Sequence, residues 1–360
     1  MSRRLITAVE IDGAGGHPAA WRGAEVDPSA ILTGELAVRA VQRAEEAGID
    51  LATFADALEA PADLPERVSV RLDAVGLAAR VAPVTDRIGL VPTLSVTHTE
   101  PFHLQASVAT LDHISSGRAG WLVDVSSSDE AAAVIGRREP APAAETWREA
   151  RYVVDVSQRL WDSWEDDAII RDAASGRFVD RDRIHYVDFE TPSFAIKGPS
   201  IVPRPPQGHP LTVVRVASEV ALQAVGEADL VLLPGTTDLA SRLTAVRATS
   251  PKPRVLISVT VHLRNPENVR RFPSDDGELD YVGGVEGLAE LVGEWAEAGV
   301  DGVHLRPGSL ELDVPVIADE LLPLLRERGL VGPAVKRAAT LRTRLGLRRP
   351  ENRYAVGGRP

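Results

Sequence analysis

The sequence has no cysteine, only one methionine, and few aromatic residues, which make up 4% of its 360 residues. Without thiols the chain can form no disulfide, no thiolate nucleophile and no thiolate-ligated metal site. It also lacks an apolar run of about 18 residues, the length that predicts a membrane-spanning helix. The first residues, MSRRLITAVEID, hold one short apolar stretch that Glu10 interrupts. We therefore expect no signal peptide, no membrane partner and a cytoplasmic protein.

An excess of basic charge is missing as well, since 40 Lys and Arg stand against 52 Asp and Glu, for a formal net charge of −12. Such a chain is a poor binder of phosphate backbones, so nucleic acid is not an expected partner. Several enzyme fingerprints are also absent, among them the glycine motifs of phosphate-binding loops, HExxH and GxSxG. No tight His/Asp/Glu cluster has metal-ligand spacing, so we expect no metal site.

What the sequence does contain is an alternation of short Val/Ile/Leu-rich runs with longer runs of helical period, which predicts βα units and a parallel sheet. The predicted strands are 5–12, 51–56, 88–96, 119–126, 211–218, 229–234, 254–263 and 302–306. The predicted helices are 35–49, 71–84, 102–115, 145–164, 219–227, 238–248, 286–299 and 314–329. Eight repeats with continuously apolar strands favour an α/β fold of the (β/α)8 TIM-barrel type. A doubly wound open sheet is the alternative.

Two segments interrupt this rhythm, an excursion at 165–210 after the fourth predicted helix and a basic C-terminal tail at 331–360. So long a segment inside a barrel usually has some structure and a function of its own. We expect the tail to pack along the barrel or to reach a neighbouring subunit. Because no low-complexity linker divides the chain, we predict a single domain over residues 1–360.

Polar residues fall at the ends of the predicted strands, where barrels of this type carry their chemistry. They are Asp56, Ser95, Ser126, Ser218, His262, His304 and Arg306, with His98 and His103 just after the third strand. Together they suit a polar, partly anionic cofactor above an apolar floor. Structural alternatives exist for each type: serines cap helices, an aspartate forms turns, and histidines among apolar neighbours can be satisfied core residues.

Several stretches resemble the bacterial-luciferase-like flavin-dependent monooxygenases, in particular the group of nitrilotriacetate and dibenzothiophene-sulfone monooxygenases. The similar stretches are HPAAWRG (17–23), DLATFAD (50–56), the LDHxSxGRxGW core within 87–121, LWDSWEDDAIIRDAASGRF (160–178), FAIKGPSIVPRPPQG (194–208) and TLRTRLGLRRPENRYA (340–355). They are spread over essentially the whole chain, and the core within 87–121 is the most specific of them.

This resemblance implies a barrel that takes reduced FMN from a separate flavin reductase and oxygenates a small organic substrate through a flavin C4a-hydroperoxide. On the family pattern Asp56, Ser95 and Ser218 match flavin-contacting positions, and Trp147 aligns with a tyrosine of the family. Ser126, at the end of a predicted strand, is added to these four, which gives five predicted cofactor-binding residues. The resemblance also suggests a homodimer, or a heterodimer with a homologue. It names no catalytic residue.

The sequence departs from the family pattern at several flavin positions. Leu122 and Val125 stand where an amide and a hydroxyl are expected, and the phosphate loop at 214–219, VRVASE, has lost its glycines. The chain is also shorter than typical members. Each lost hydrogen-bond partner weakens binding by about 1–3 kcal/mol. A weakened flavin site, a deazaflavin-like cofactor, and a non-catalytic partner subunit of an active homologue therefore all stay open.

Overall fold

The strands of the computed structural model follow the predicted alternation. The structure describes residues 4–18, 20–23, 29–58, 70–236, 238–264, 279–333 and 340–355. Within these ranges the strands are β1 (Ile6–Ile11), β2 (Leu51–Phe54), β3 (Gly89–Ser95), β4 (Gly120–Asp124), β5 (Ile169–Asp172), β6 (Arg177–Val179), β7 (Phe189–Glu190), β8 (Ala195–Ile196), β9 (Leu211–Arg215), β10 (Leu230–Pro234), β11 (Arg254–His262), β12 (Asp280–Val282) and β13 (Gly302–Pro307). Eight of them coincide with the predicted strands. The additional ones are β12 and two antiparallel hairpins, β5–β6 and β7–β8.

Eight parallel strands close into a barrel in the order β1, β2, β3, β4, β9, β10, β11, β13 and back to β1. The pairing of β10 with β11, which sets Leu230 opposite Arg254, closes the ring. An open sheet would leave both of these strands with an unpaired edge, so that alternative is wrong. The predicted (β/α)8 barrel is confirmed.

The helices of the structure agree with the predicted helices, although their first and last residues differ. They are α1 (Ala20–Gly23), α2 (Ala30–Thr33), α3 (Glu35–Glu46), α4 (Ala74–Val81), α5 (Pro101–Ile114), α6 (Asp129–Ile135), α7 (Ala143–Asp162), α8 (Leu239–Thr249), α9 (Val285–Glu297), α10 (Leu310–Val316), α11 (Leu322–Glu327) and α12 (Leu341–Arg344). The predicted helix 219–227 is a 3-10 helix. A π-helical turn, Ile317–Leu321, separates α10 from α11, next to Pro315, which removes a backbone donor. None of the described helices combines the length and the apolar character needed to cross a membrane.

Two apolar layers follow from the alternation of side chains along each strand. Outward-facing side chains such as Val9, Phe54 and Trp121 pack against the helices in the main core. Inward-facing ones fill the barrel, and they are Ile6, Ala8, Leu51, Val91, Leu122, Leu211, Val213, Leu230, Leu232 and Leu256. Leu341 and Leu345 of the tail join this interior cluster, so α12 plugs the end of the barrel where the strands begin.

Three aspartates that directly precede strands connect the strand starts in the same way. Each accepts a hydrogen bond from the backbone N–H of the second residue of the neighbouring strand: Asp50 from Thr7, Asp229 from Thr212, and Asp301 from Val255. Each also forms an ion pair with an arginine: Asp50 with Arg4, Asp229 with Arg342, and Asp301 with Arg247. The carboxylates thus satisfy backbone donors that the ladder leaves open at this end of the barrel.

The excursion and the tail pack on each other outside the barrel. Arg204 of the excursion pairs with Asp162 and Asp166 at 3.0 Å, and Arg349 and Arg353 of the tail pair with the same two aspartates. These contacts lie where α7 ends, on the side where the strands begin. They show that the excursion has a packing role, and the function expected for so long a segment stays a prediction. The described part of the tail at 340–355 packs along the barrel, as expected, and the single-domain interpretation stays a prediction.

Candidate functional site

The candidate site lies at the C-terminal ends of the barrel strands, which we call the mouth. Its inward-facing side chains are those of Glu10, Ser95, Arg215, His262 and Arg306. Their direction follows from the period of two along each strand, because residues two, four or six positions before Glu10, Ser95, Arg215 and His262 belong to the interior cluster. Arg306 faces the same way because it binds the side chain of Glu10. The mouth is therefore built on rigid strands at the end that such barrels use for chemistry.

His304 lies just below the mouth with both ring nitrogens bound. Its Nε2 is 2.8 Å from Oγ1 of Thr53, and its Nδ1 is 2.9 Å from Oγ of Ser258. Burial lowers the pKa of His304 to about 4, so the ring is neutral at pH 7. His304 is thus a satisfied core histidine, as the structural alternative predicted.

A charged pair, Glu10 and Arg306, forms the bottom of the mouth, directly above the apolar interior. Nε of Arg306 donates to Oε1 of Glu10 at 2.9 Å, and both side chains are less than one-fifth exposed. Burial acts to raise the pKa of Glu10, but Arg306, His304 and Arg215 outweigh it and lower that pKa. The expected apolar floor therefore lies deeper, beneath this pair. Sequence reasoning missed Glu10 and Arg215, although the alternation that begins at Ile6 would have turned Glu10 inward.

Asp56 lies two residues beyond the end of β2, which closes at Phe54. Its carboxylate accepts hydrogen bonds from the backbone N–H groups of Ala57 at 2.8 Å and of Ala74, the first residue of α4, at 3.0 Å. Burial raises the pKa of this half-buried group. Asp56 thus holds the start of α4 at the rim, which fits the turn-forming alternative, and its contact with a cofactor stays a prediction.

Ser95 and Ser126 have buried hydroxyl oxygens for which the described residues offer no hydrogen-bond partner. Ser95 ends β3 and is in register with Asp124 of β4. The backbone N–H of Ser126 donates to Oγ1 of Thr97 at 2.9 Å, and this bond joins the loops that follow β3 and β4. Unpaired buried groups of this kind need an explanation, and a polar ligand at the mouth provides one. The structure brings these two predicted residues to one corner of the mouth.

The other two predicted cofactor-binding residues lie elsewhere. Trp147 of α7 is 7% exposed and packs in the main core between helices and strands. Ser218 is exposed and precedes the 3-10 helix, three residues beyond the end of β9 at Arg215. Ser218 is therefore accessible to a ligand at the rim, whereas Trp147 offers a ligand only a small part of its ring.

The positions that depart from the family pattern have clear places in the barrel. Leu122 is 5% exposed and points into the interior, while Val125 packs against the main core. Neither can replace a polar contact. Residues 214–219, all of them described, include none with a positive φ. This loop therefore lacks the backbone geometry that glycines give to a phosphate cradle.

A loop at residues 12–18 covers one side of the mouth. The backbone N–H of His17 donates to the carbonyl oxygen of Gly308 at 3.1 Å. A Cβ on Gly15 would lie 2.3 Å from that same oxygen, so the close approach of the two backbones requires glycine. The loop brings His17 edge to face with His262, with ring centroids 5.5 Å apart. Burial lowers the pKa of His262 to about 4, so this imidazole is neutral at pH 7.

Known proteins match this chain over most of its length. A family model described as luciferase-like monooxygenase matches residues 17–302. N-acetyl-S-(2-succino)cysteine monooxygenase of Bacillus subtilis is 26% identical, covering 98% of this chain and 99% of that protein. One of the subunits of pristinamycin IIA synthase of Streptomyces pristinaespiralis is 30% identical, covering 88% of this chain and 91% of that protein. These matches confirm the resemblance predicted from the motifs.

Solved structures share the fold. The long-chain alkane monooxygenase LadA superposes with a TM-score of 0.87 at 20% identity, covering 96% of each chain. The EDTA monooxygenase EmoA from Chelativorans sp. BNC1 has a TM-score of 0.82 at 21% identity, covering 96% of this chain and 99% of that one. At these identities the likeness concerns the fold alone, and it agrees with the closed barrel.

Proposed function

Because the chain belongs to the luciferase-like monooxygenase family, we propose that it is a monooxygenase that uses reduced FMN to oxygenate a small organic substrate. The predicted class of enzyme, a flavin-dependent oxidoreductase, agrees with this membership. FMN as the particular flavin, and a separate flavin reductase as its source, belong to the proposal. A cytoplasmic location stays a prediction.

The observation that carries the proposal is the pair of buried, unpaired hydroxyls of Ser95 and Ser126 at one corner of the mouth. One edge of the flavin ring system presents carbonyl oxygens and ring nitrogens, which are suitable partners for hydroxyl groups. We place that edge in this corner. Asp56 and Ser218 are the further proposed contacts because both are accessible at the rim, and the contact of Trp147 stays a prediction.

When bound, reduced flavin supplies the activated oxygen that is transferred to the substrate. The role of the protein's own residues is to bind and orient both molecules and to keep water away. The loop at 12–18 shields one side of the mouth, and the Glu10–Arg306 pair beneath it is fixed before any ligand arrives. We assign no general base. Burial lowers the pKa of His262 and of His304 to about 4, which makes both imidazoles weak bases. Both nitrogens of His304 are also bound within the barrel.

The same geometry predicts that flavin binding is weaker than in members that keep the glycine-rich phosphate loop. Exposed Glu219 places a negative charge beside Ser218, and Leu122 offers no hydrogen bond. Each buried flavin atom that is left without a partner costs about 1–3 kcal/mol, or about 5- to 160-fold in affinity. A dissociation constant in the micromolar range is the expected result.

The test is an anaerobic titration of the purified protein with reduced FMN, followed by fluorescence or calorimetry. We expect saturable binding, and a loss of about 10- to 100-fold in the double variant S95A/S126A, because two hydrogen bonds are removed. The control variant S193A removes an exposed hydroxyl of the excursion and should bind like the wild type. Absence of binding to the wild type at high micromolar concentration would overturn the proposal, and preference for a deazaflavin would correct its cofactor.

A second function is favoured by the substituted flavin positions, Leu122 and the loop at 214–219. It is the role of a non-catalytic subunit that forms a heterodimer with an active homologue. Two differently named subunits of pristinamycin IIA synthase are both relatives of this chain, and the second of them is 32% identical, covering 61% of it. Full oxygenase activity in the isolated homo-oligomer would rule this role out. A neighbouring gene for an intact homologue favours pairing, and one for a flavin reductase favours catalysis.

A further inference from the structure

His98 is a half-buried residue just after the third strand, and the family pattern matches it to no flavin contact. It lies in the loop between β3 and α5, three residues after Ser95. Its Nδ1 is buried, and none of the described residues forms a hydrogen bond with it. His103, five residues further along, is exposed on the first turns of α5. Of these two histidines, only His98 has a ring atom that is both buried and unpaired.

The surroundings of His98 hold it in one place. Its neighbour Thr97 accepts the backbone N–H of Ser126 at 2.9 Å, which fixes the loop to the end of β4. On the other side, Nη1 of Arg138 donates to the carbonyl oxygen of Thr97 at 3.2 Å and to Oε1 of Glu149 at 2.8 Å. The loop is therefore tied to β4 and, through Arg138, to α7, so the backbone that carries His98 is fixed.

The surroundings of His98 favour the neutral form of its imidazole. Burial lowers its pKa, the nearby guanidinium of Arg138 lowers it further, and the carboxylate of Glu149 acts in the opposite direction. A neutral imidazole can donate or accept at Nδ1, depending on its tautomer. His98 thus has the same versatility as the hydroxyls of Ser95 and Ser126, and its loop is joined to Ser126 through Thr97.

We propose that His98 is a flavin-binding residue whose Nδ1 forms a hydrogen bond with the polar edge of the ring system, beside Ser95 and Ser126. This inference rests on the proposed function. Leu122, which stands where the family pattern expects an amide, supplies no polar contact from β4. His98 supplies one from the loop after β3, so the corner keeps three groups that can bind the polar edge although that amide is lost.

The test compares four variants in their anaerobic binding of reduced FMN and of reduced riboflavin, measured by calorimetry. H98A should weaken the binding of both ligands by the same factor, about 3- to 10-fold, because it removes one hydrogen bond to the ring that both share. H98N places an amide near the position of Nδ1 and should restore most of the affinity, whereas H98Q reaches toward the position of Nε2 and should not. H103A is the matched control and should bind like the wild type.

The outcomes separate this inference from the proposed function. Wild-type protein that binds flavin while H98A binds equally well overturns the role of His98 and leaves the proposed function in place. Wild-type protein that binds neither reduced flavin overturns both. A loss for FMN but not for riboflavin also contradicts the inference, because it would place His98 at the phosphate and not at the ring. Thermal melting of each variant excludes unfolding as the cause of a loss.

Discussion

The two ends of the barrel treat their buried polar groups differently. Where the strands begin, Arg342 binds the carboxylate of Asp229 through hydrogen bonds of 2.7 and 2.8 Å. In the same region Arg118 donates to the carbonyl oxygens of Ala82 and Ile88 at 2.8 and 2.9 Å. These groups have partners within the chain, and the tail supplies one of them, Arg342. This end is a structural network.

At the mouth, by contrast, buried atoms of Ser95, Ser126 and His98 have no partner among the described residues. An unpaired buried group destabilises the protein by itself, so it persists where a ligand or a special role compensates. The contrast assigns stability to one end and binding to the other, as expected for this fold. Arg344 is an exception, because its Nε and Nη2 are buried and unpaired at the end where the strands begin.

The largest expected effect comes from breaking the network where the strands begin. The variant R342A leaves the buried carboxylate of Asp229 without its charged partner, and it should lower the free energy of unfolding by about 3–5 kcal/mol. Urea denaturation measures the loss. Arg348 is exposed and close in sequence, so R348A is the control and should stay within about 0.5 kcal/mol of the wild type. A loss of less than about 1 kcal/mol in R342A would show that this pair does not hold the tail in place.

A smaller effect is expected at His304, which lies between the two ends and has both nitrogens bound. Its pKa of about 4 in the folded state is below that of an unfolded histidine, about 6.5. As the pH falls between these values, the unfolded state takes up the proton first, so stability falls by at most about 1.4 kcal/mol per pH unit. H304Q lacks this contribution, and its free energy of unfolding should change less between about pH 7 and about pH 4.5. Equal changes in both proteins would contradict the prediction.

The comparison also shows why the fold was easier to predict than the site. Strands such as LVLLP at 230–234 are apolar without interruption because both of their faces are buried, and that pattern is visible in the sequence. The aspartates that connect the strand starts were visible as well. Asp50, Asp229 and Asp301 each stand directly before an apolar run, and this repeated position could have predicted the connections that they make.

No pattern in the sequence indicates that a buried side chain lacks a hydrogen-bond partner. Whether Ser126 or His98 finds a partner depends on which atoms of other strands and loops reach it, and the pattern of one segment does not contain that information. Trp147 shows that an alignment likewise does not reveal how deeply a side chain is buried. Its alignment with a family tyrosine predicts a contact with the cofactor, whereas the position of α7 buries most of its ring in the main core.

The smallest effect on stability is expected for S126A. Its comparison with T97V tests directly whether the hydroxyl of Ser126 is unpaired. S126A removes an unpaired hydroxyl, so its free energy of unfolding should stay within about 0.5 kcal/mol of the wild type, while flavin affinity falls. T97V removes the hydroxyl that accepts the backbone N–H of Ser126 and leaves that donor unpaired, which should cost about 1–3 kcal/mol. Urea denaturation of the two variants without flavin compares them directly. If S126A is destabilised as much as T97V, the hydroxyl of Ser126 has a structural partner, and the mouth does not differ from the other end of the barrel at this residue.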